Sequence, residues 1–149
     1  MPLLQLSVLV ENKPGVMARV ASILDGTGVR IFALSIAEAG EVGMIRMVVD
    51  DYEEATKALE AAGFSIAKSK KNVEVIAVLV TEEHKLSEIT KLLGDNDINI
   101  DYAYSSSIHL DGKSAFILRV SDPEKSEMIL EGKGVRVLRT QDLKCLPTI

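Results

Sequence analysis

A short loop near the N-terminus combines residue types that suit a small molecule with both charges. Residues 12–15 read Asn-Lys-Pro-Gly and precede a segment with helical spacing. A helix that begins after this loop presents unpaired backbone N–H groups, which bind carboxylates well. Gly15 lets a ligand approach the backbone, Pro14 presets a helical φ angle, and Asn12 offers both a donor and an acceptor. Taken alone, Pro-Gly also fits an ordinary turn, and Asn12 also fits a helix cap.

Residue types that carry catalysis are few. His84 and His109 are the only histidines and fall in different predicted elements, and Cys145 is the only cysteine, so no nucleophile–base pair is predicted. The sequence contains no CxxC, HExxH, P-loop or GxGxxG motif. His84 with Glu82 and Glu83 could bind a metal, but such polar clusters are common at a solvated helix start. We expect no enzyme activity, no metal site and no cofactor.

The composition and net charge exclude several classes of binding partner. The chain has 149 residues, of which 47% are hydrophobic and 4% aromatic, and its net charge is −5. These values argue against disorder, nucleic-acid binding and attraction to an anionic membrane. No apolar run is long enough for a membrane span, and the N-terminus lacks signal-peptide features. With one cysteine, the sequence fits a reducing cytosol, and we expect a cytoplasmic protein.

The first half of the chain predicts six elements. Strands are predicted at 3–10, 29–38, 44–49 and 64–67. A helix follows Gly15 and ends near Gly26 and Gly28, and Gly40 with Gly43 marks a turn. A second helix follows Asp51, which has a capping-box acid three residues later.

The second half repeats this order. Strands are predicted at 73–80, 98–108, 114–120 and 135–139. One helix carries the apolar face Leu86 to Leu93, another begins with Asp122 and Pro123, and Asp111 starts a hairpin turn. We predict an α+β fold of two ferredoxin-like βαββαβ units, each an antiparallel sheet with helices on one face. The units span 1–70 and 73–140, and a C-terminal tail spans 141–149.

Strands of the second half are apolar on both faces. Val75, Ala77 and Leu79 occupy one face of the first of these strands, and Ile76 and Val78 occupy the other. Such strands indicate that the open face of the sheet is covered, either between halves or between chains. We therefore predict a homodimer.

The loop of the second half departs from that of the first. Residues 81–86 read Thr-Glu-Glu-His-Lys-Leu, without Pro-Gly and with an apparent length one residue shorter. Two acids stand where a carboxylate would dock, which disfavours an equivalent site. We predict binding at the first loop, with the second half as its structural partner.

The repeat and the first loop together resemble the ACT-domain family. The resemblance is carried by residues 10–20, Val-Glu-Asn-Lys-Pro-Gly-Val-Met-Ala-Arg-Val, and residues 28–31, Gly-Val-Arg-Ile. The chain is similar to a free-standing tandem ACT protein without a catalytic domain. This implies a non-enzymatic regulatory protein that binds a small effector, usually an amino acid, at an ACT–ACT interface.

The resemblance also implies which residues touch the ligand. In the loop they are Asn12, Lys13, Pro14, Gly15, Val16 and Met17. On the second strands they are Leu34, Ser35, Ile36, Tyr104, Ser105 and Ser106. Ser105 and Ser106 also fit a polar strand end, and Tyr104 also fits core packing. An aliphatic lining favours a small or branched apolar amino acid.

Three functions from different classes follow. The first is an amino-acid-binding regulatory protein. The second is a regulatory subunit that docks on a biosynthetic enzyme such as acetolactate synthase, because the first loop resembles that of its small subunit. The third is an oligomerisation or adaptor module that binds no ligand.

Overall fold

The structure, a computed structural model, describes residues 3–146. It consists of β-sheet and α-helices, which confirms the predicted α+β class. The chain forms two compact units, one over Leu4–Val73 and the other from Glu74 onward, and each is described by itself. Among the helices of residues 3–146, none is both long enough and apolar enough to cross a membrane.

The first unit follows the order β-α-β-β-α-β and ends in one short helical turn. Its elements are β1 (Leu3–Glu11), α1 (Val16–Thr27), β2 (Ile31–Ala39), β3 (Val42–Val49), α2 (Tyr52–Ala61), β4 (Ser65–Ile66) and α3 (Lys70–Val73). Its strands lie in the order β4-β1-β3-β2 and pair antiparallel. The sequence did not indicate α3.

The core of the first unit lies between one face of its sheet and its two long helices. Side chains that alternate along a strand point to one face, and residues three or four apart share one side of a helix. Leu6 and Val8 of β1 therefore meet Val20 and Leu24 of α1, and all four are fully buried. Aliphatic side chains fill this core, as the scarcity of aromatics predicts.

The other face of β1 carries a buried polar pair. Gln5 and Ser7 are both fully buried. The Gln5 Nε2 amide and the Ser7 hydroxyl donate to the Asn72 carbonyl oxygen at 3.0 and 2.8 Å. These bonds connect α3 to the middle of β1, so the end of the unit is held to its own sheet.

The elements end close to the predicted residues, with one correction. Gly28 ends α1 with φ +79°, and Asp51 Oδ1 accepts the Glu54 N–H at 3.1 Å as an N-cap. Gly43, expected in a turn, lies inside β3 opposite Val10. A Cβ on Gly43 would lie 3.3 Å from Val10 Cγ2, so close strand packing explains the glycine.

The second unit repeats the β-α-β-β-α-β order and also ends in a short helix. Its elements are β5 (Glu74–Val80), α4 (Leu86–Asp95), β6 (Ile100–Leu110), β7 (Lys113–Val120), α5 (Pro123–Gly132), β8 (Val137–Leu138) and α6 (Thr140–Lys144). Its strands lie in the order β6-β7-β5-β8. Asp111 and Gly112 have φ angles of +53° and +76°, as a type I′ hairpin turn requires.

Helix α6 lies in the segment expected as a tail, and a charge cluster precedes it. Leu143 of α6 is fully buried, and residues 147–149 of the expected tail lie outside the described chain. Arg139 Nη2 lies 2.6 Å from Glu127 Oε2 and 2.8 Å from Glu131 Oε1. Glu127 is only 5% exposed. Burial raises the pKa of the Glu127 carboxyl above its ordinary value, although the Arg139 charge acts in the opposite direction.

Candidate functional site

A cavity of about 560 Å³ opens beside the β1–α1 loop of the first unit. Its wall combines apolar side chains with three charged ones. The lining residues are Leu9, Val10, Glu11, Lys13, Pro14, Gly15, Val16, Arg19, Val42, Gly63, Phe64 and Ser65. Such a mixture suits a small molecule with an apolar body and charged ends.

Helix α1 starts in this wall without a side-chain cap. Its N-cap is Gly15, whose φ of +89° favours glycine and whose lack of a side chain leaves no capping acceptor. At α2 and α5, by contrast, Asp51 and Asp122 accept N–H groups of the first turn. The Val16 N–H donates to the Lys13 carbonyl oxygen at 3.5 Å, so the N–H groups of Met17 and Ala18 are the ones at the start of α1 that are available to an anion.

Asn12 fastens the loop from outside the cavity lining. Its Nδ2 amide donates to the Gly40 carbonyl oxygen at 2.9 Å, and its backbone N–H donates to the Glu41 carbonyl oxygen at 2.8 Å. Both partners belong to the turn between β2 and β3. Asn12 thus sets the position of the loop, and α1 begins without it as a cap.

Lys13 and Glu11 form an ion pair on the rim of the cavity. Lys13 Nζ lies 2.9 Å from Glu11 Oε2, and the two side chains are 62% and 74% exposed. The hydrogen bond and charge of Lys13 lower the pKa of the Glu11 carboxyl from its ordinary value. The pair is solvated and easily exchanged for other partners.

Arg19 is one of the lining residues that the sequence did not predict as a ligand contact. Its Nη2 donates to the Ala62 carbonyl oxygen at 2.9 Å, and its guanidinium carbon lies 4.9 Å from the centre of the Phe64 ring. A signal for it existed, because Arg19 follows Gly15 by one helical turn and so shares its side of α1. Phe64 and its neighbours come from a turn far away in sequence and gave no such signal.

Four predicted residues meet at the cavity, namely Lys13, Pro14, Gly15 and Val16. Met17 instead packs against the core of the first unit. Leu34, Ser35 and Ile36 lie on β2 outside the lining, with Leu34 and Ile36 38% and 55% exposed.

The predicted residues on β6 have partners within the second unit. Tyr104 stacks on Tyr102 with ring centres 6.4 Å apart. The Ser106 hydroxyl donates to the Ala115 carbonyl oxygen at 2.6 Å and accepts the Ile108 N–H at 3.1 Å. Ser105 lies between them, opposite Phe116 of β7.

The second unit has its own cavity beside the loop into α4, with a volume of about 680 Å³. The loop spans 81–85 and is five residues long against four in 12–15, so the expected shortening was wrong. The Thr81 hydroxyl accepts the His84 N–H at 2.9 Å, and the Thr81 N–H donates to the His84 carbonyl oxygen at 3.0 Å. Glu82, Glu83 and Asp111 line the cavity together with two lysines. Within residues 3–146, no three His, Cys, Asp or Glu side chains are grouped so that they could hold a metal ion.

Comparisons with known proteins agree with this architecture. Residues 1–146 match the sequence model of the ACT domain pair family. The acetolactate synthase small subunits of Mycolicibacterium smegmatis and Mycobacterium avium are 27% and 28% identical over 129 and 132 residues. These matches cover 87% and 88% of this chain and 72% and 74% of the relatives.

Two solved structures extend the comparison. A Bacteroides thetaiotaomicron protein superposes with a TM-score of 0.84 at 28% identity and covers 98% of both chains. The regulatory subunit of aspartate kinase from Thermus thermophilus gives a TM-score of 0.61 at 15% identity over 88% of this chain and 93% of its own. At that identity, the second likeness shows a common fold alone.

Proposed function

Because this chain belongs to the ACT domain pair family, as the repeat and the first loop predicted, we propose that it is a non-catalytic regulatory protein that binds a free amino acid. We place the ligand at the β1–α1 loop. The cavity beside the uncapped start of α1 carries this proposal, since it brings N–H donors, charged side chains and an apolar wall together.

Each end of an amino acid has a matching group in the cavity. Its carboxylate would accept hydrogen bonds from the first N–H groups of α1. Its ammonium group would bind the Glu11 carboxylate in exchange for Lys13. Leu9, Val16 and Val42 would contact the side chain, and their small aliphatic surface favours a small or branched apolar amino acid.

We further propose that each unit is a ferredoxin-like ACT unit and that two copies of the chain associate as a homodimer. Residues of a second copy would complete an ACT–ACT site at this cavity. Leu34 to Ile36 or Tyr104 to Ser106 would supply those contacts. Sedimentation should give twice the mass of one chain, and a monomer would contradict this part of the proposal.

A second candidate function is docking on a biosynthetic enzyme in the cytoplasm. It is supported by the relatives named acetolactate synthase small subunits, because each match extends over nearly three quarters of the relative's length. Capture of an acetolactate synthase catalytic chain by this protein, with a change in its activity, would support docking. Absence of both effects would leave the amino-acid-binding function alone.

Thermal unfolding against each of the twenty amino acids tests the main proposal. A ligand that binds only the folded state raises the melting temperature, and at one hundred times Kd the stabilisation is about 2.7 kcal/mol. We expect a rise for a few small apolar amino acids and a smaller rise for their carboxamides. A set of twenty unchanged melting temperatures would favour the adaptor module that binds no ligand.

A further inference from the structure

Arg19 differs from four other arginines of the chain in how its charge is used. Arg30, Arg119, Arg136 and Arg139 each have a carboxylate within 4 Å. For Arg19, residues 3–146 supply no carboxylate at that distance, although the side chain lines the cavity next to the loop. Lys13, the other cation of the lining, is already paired with Glu11.

The Arg19 side chain is nevertheless held in place. Its guanidinium lies against the Phe64 ring, and one of its N–H groups donates to the Ala62 carbonyl oxygen. A guanidinium has five N–H donors in a fixed plane, so four remain for other acceptors. Contact with an aromatic face also reduces the mobility that a long exposed side chain would lose on binding.

From these observations we infer that Arg19 is the specificity-determining residue of the cavity and selects ligands that carry a carboxylate. This inference rests on the proposed function. Arg19 binds the carboxylate with its remaining N–H groups, while the start of α1 supplies the second set of donors. The cavity therefore discriminates strongly between an acid and its carboxamide, and less strongly between apolar side chains.

A cycle of two ligands and two proteins tests the inference. L-valine and L-valinamide are titrated into ¹⁵N-labelled wild type and the Arg19→Gln variant, and Kd is read from the shifts of the Gly15 amide resonance. We expect Arg19→Gln to raise the Kd of L-valine about tenfold, as for a lost hydrogen bond to a charged group. The Kd of L-valinamide should stay unchanged. Arg19→Lys keeps the positive charge but lacks the planar guanidinium, so it should raise the Kd of L-valine by a smaller factor.

The controls separate the possible failures. Lys57→Gln removes an exposed positive charge from the same unit outside this cavity and should leave both affinities unchanged. Suppose that the wild type binds L-valine and that Arg19→Gln changes the affinities for both ligands equally, or changes neither affinity. The inference is then overturned while the proposed function stands. If neither ligand shifts the Gly15 amide in wild type, the inference is overturned for L-valine, and the thermal screen of twenty amino acids decides the proposed function separately. Should Arg19→Gln fail to fold, Arg19→Lys provides the same comparison.

Discussion

The loops into α1 and α4 follow the first strand of their units and lead into long helices, yet they present different chemistry. Neither helix has a side-chain cap at its start, and the first loop places Gly15 at that position. The second folds on itself through Thr81 and His84 and carries Glu82 and Glu83 at its cavity. The same position in a repeated fold is thus open to an anion in one unit and unfavourable to an anion in the other.

Arg139 of the second unit and Arg19 of the first also differ in how their charges are used. In the second unit, Arg139 neutralises the buried Glu127, so its charge serves the stability of the fold. In the first unit, Arg19 lies at an open cavity without an acid partner in residues 3–146. A cation supports folding where it faces a buried acid and remains available for a ligand where it faces a cavity.

The largest effect is expected from the loss of Arg139. Arg139→Gln leaves the Glu127 carboxylate buried without its partner, and the free energy of unfolding should fall by about 2 to 3 kcal/mol. Arg19→Gln should change it by less than about 0.5 kcal/mol, because the side chain is exposed. Urea unfolding of both variants measures the difference, and equal losses would remove the distinction between the two arginines.

A change at Gly15 tests whether the β1–α1 loop forms the binding site. Gly15→Ala and Gly28→Ala each place a Cβ at a positive φ with no atom within 4 Å, so each should cost about 1 kcal/mol of stability from backbone strain alone. Only Gly15→Ala should lower the affinity for L-valine, by about tenfold or more, because its methyl group enters the cavity. The Gly28 variant is the matched control, and equal binding by both would contradict the assignment of the loop.

Much of the fold was predictable because it depends on local patterns. Asp51 and Asp122 cap α2 and α5 as their spacing indicated, and Asp111-Gly112 forms the expected turn. Gly43 was placed in a turn, because a glycine required by close strand packing has the same sequence signal as a glycine required by a turn. The short helices α3 and α6 carry too few residues for a periodic pattern.

The candidate site was predictable only where it is continuous in sequence. Residues 13–16 line the cavity as the Pro-Gly motif indicated. Val42, the first residue of β3, and Phe64, just before β4, line the same cavity, and no local pattern connects either residue to the loop. The partner of Asn12 was equally hidden, since the Gly40 carbonyl lies 28 residues away along the chain.

Asn12 offers a smaller test of how the first loop is held. Asn12→Ala removes the bond to the Gly40 carbonyl and should lower the free energy of unfolding by about 0.5 to 1 kcal/mol. Asn12→Asp should cost at least as much, because a carboxylate cannot donate to a carbonyl oxygen. If Asn12→Asp instead strengthens L-valine binding, Asn12 contacts the ligand's ammonium group and does more than position the loop.

The pH dependence of stability should follow Glu127 in the second unit. Its pKa is raised in the folded state, so the folded protein binds more protons between the unfolded and folded values. The free energy of unfolding should therefore fall as pH rises through that interval. Urea unfolding measured from pH 4 upwards gives the slope of the unfolding free energy against pH, and Glu127→Gln should remove this part of that slope. An unchanged slope would show that the burial of Glu127 does not affect stability.

The smallest effect is expected at Lys13, on the rim of the first cavity. Its pair with Glu11 is exposed on both sides, so Lys13→Ala should change the free energy of unfolding by less than about 0.5 kcal/mol. The pKa of Glu11 should rise toward its ordinary value, because Lys13 is what lowers it. If Lys13 only competes for Glu11, Lys13→Ala keeps or slightly strengthens L-valine binding, whereas Glu11→Gln weakens it. A large loss of L-valine affinity with Lys13→Ala in calorimetric titration would instead make Lys13 a ligand contact. Part of the role assigned to Arg19 would then belong to Lys13.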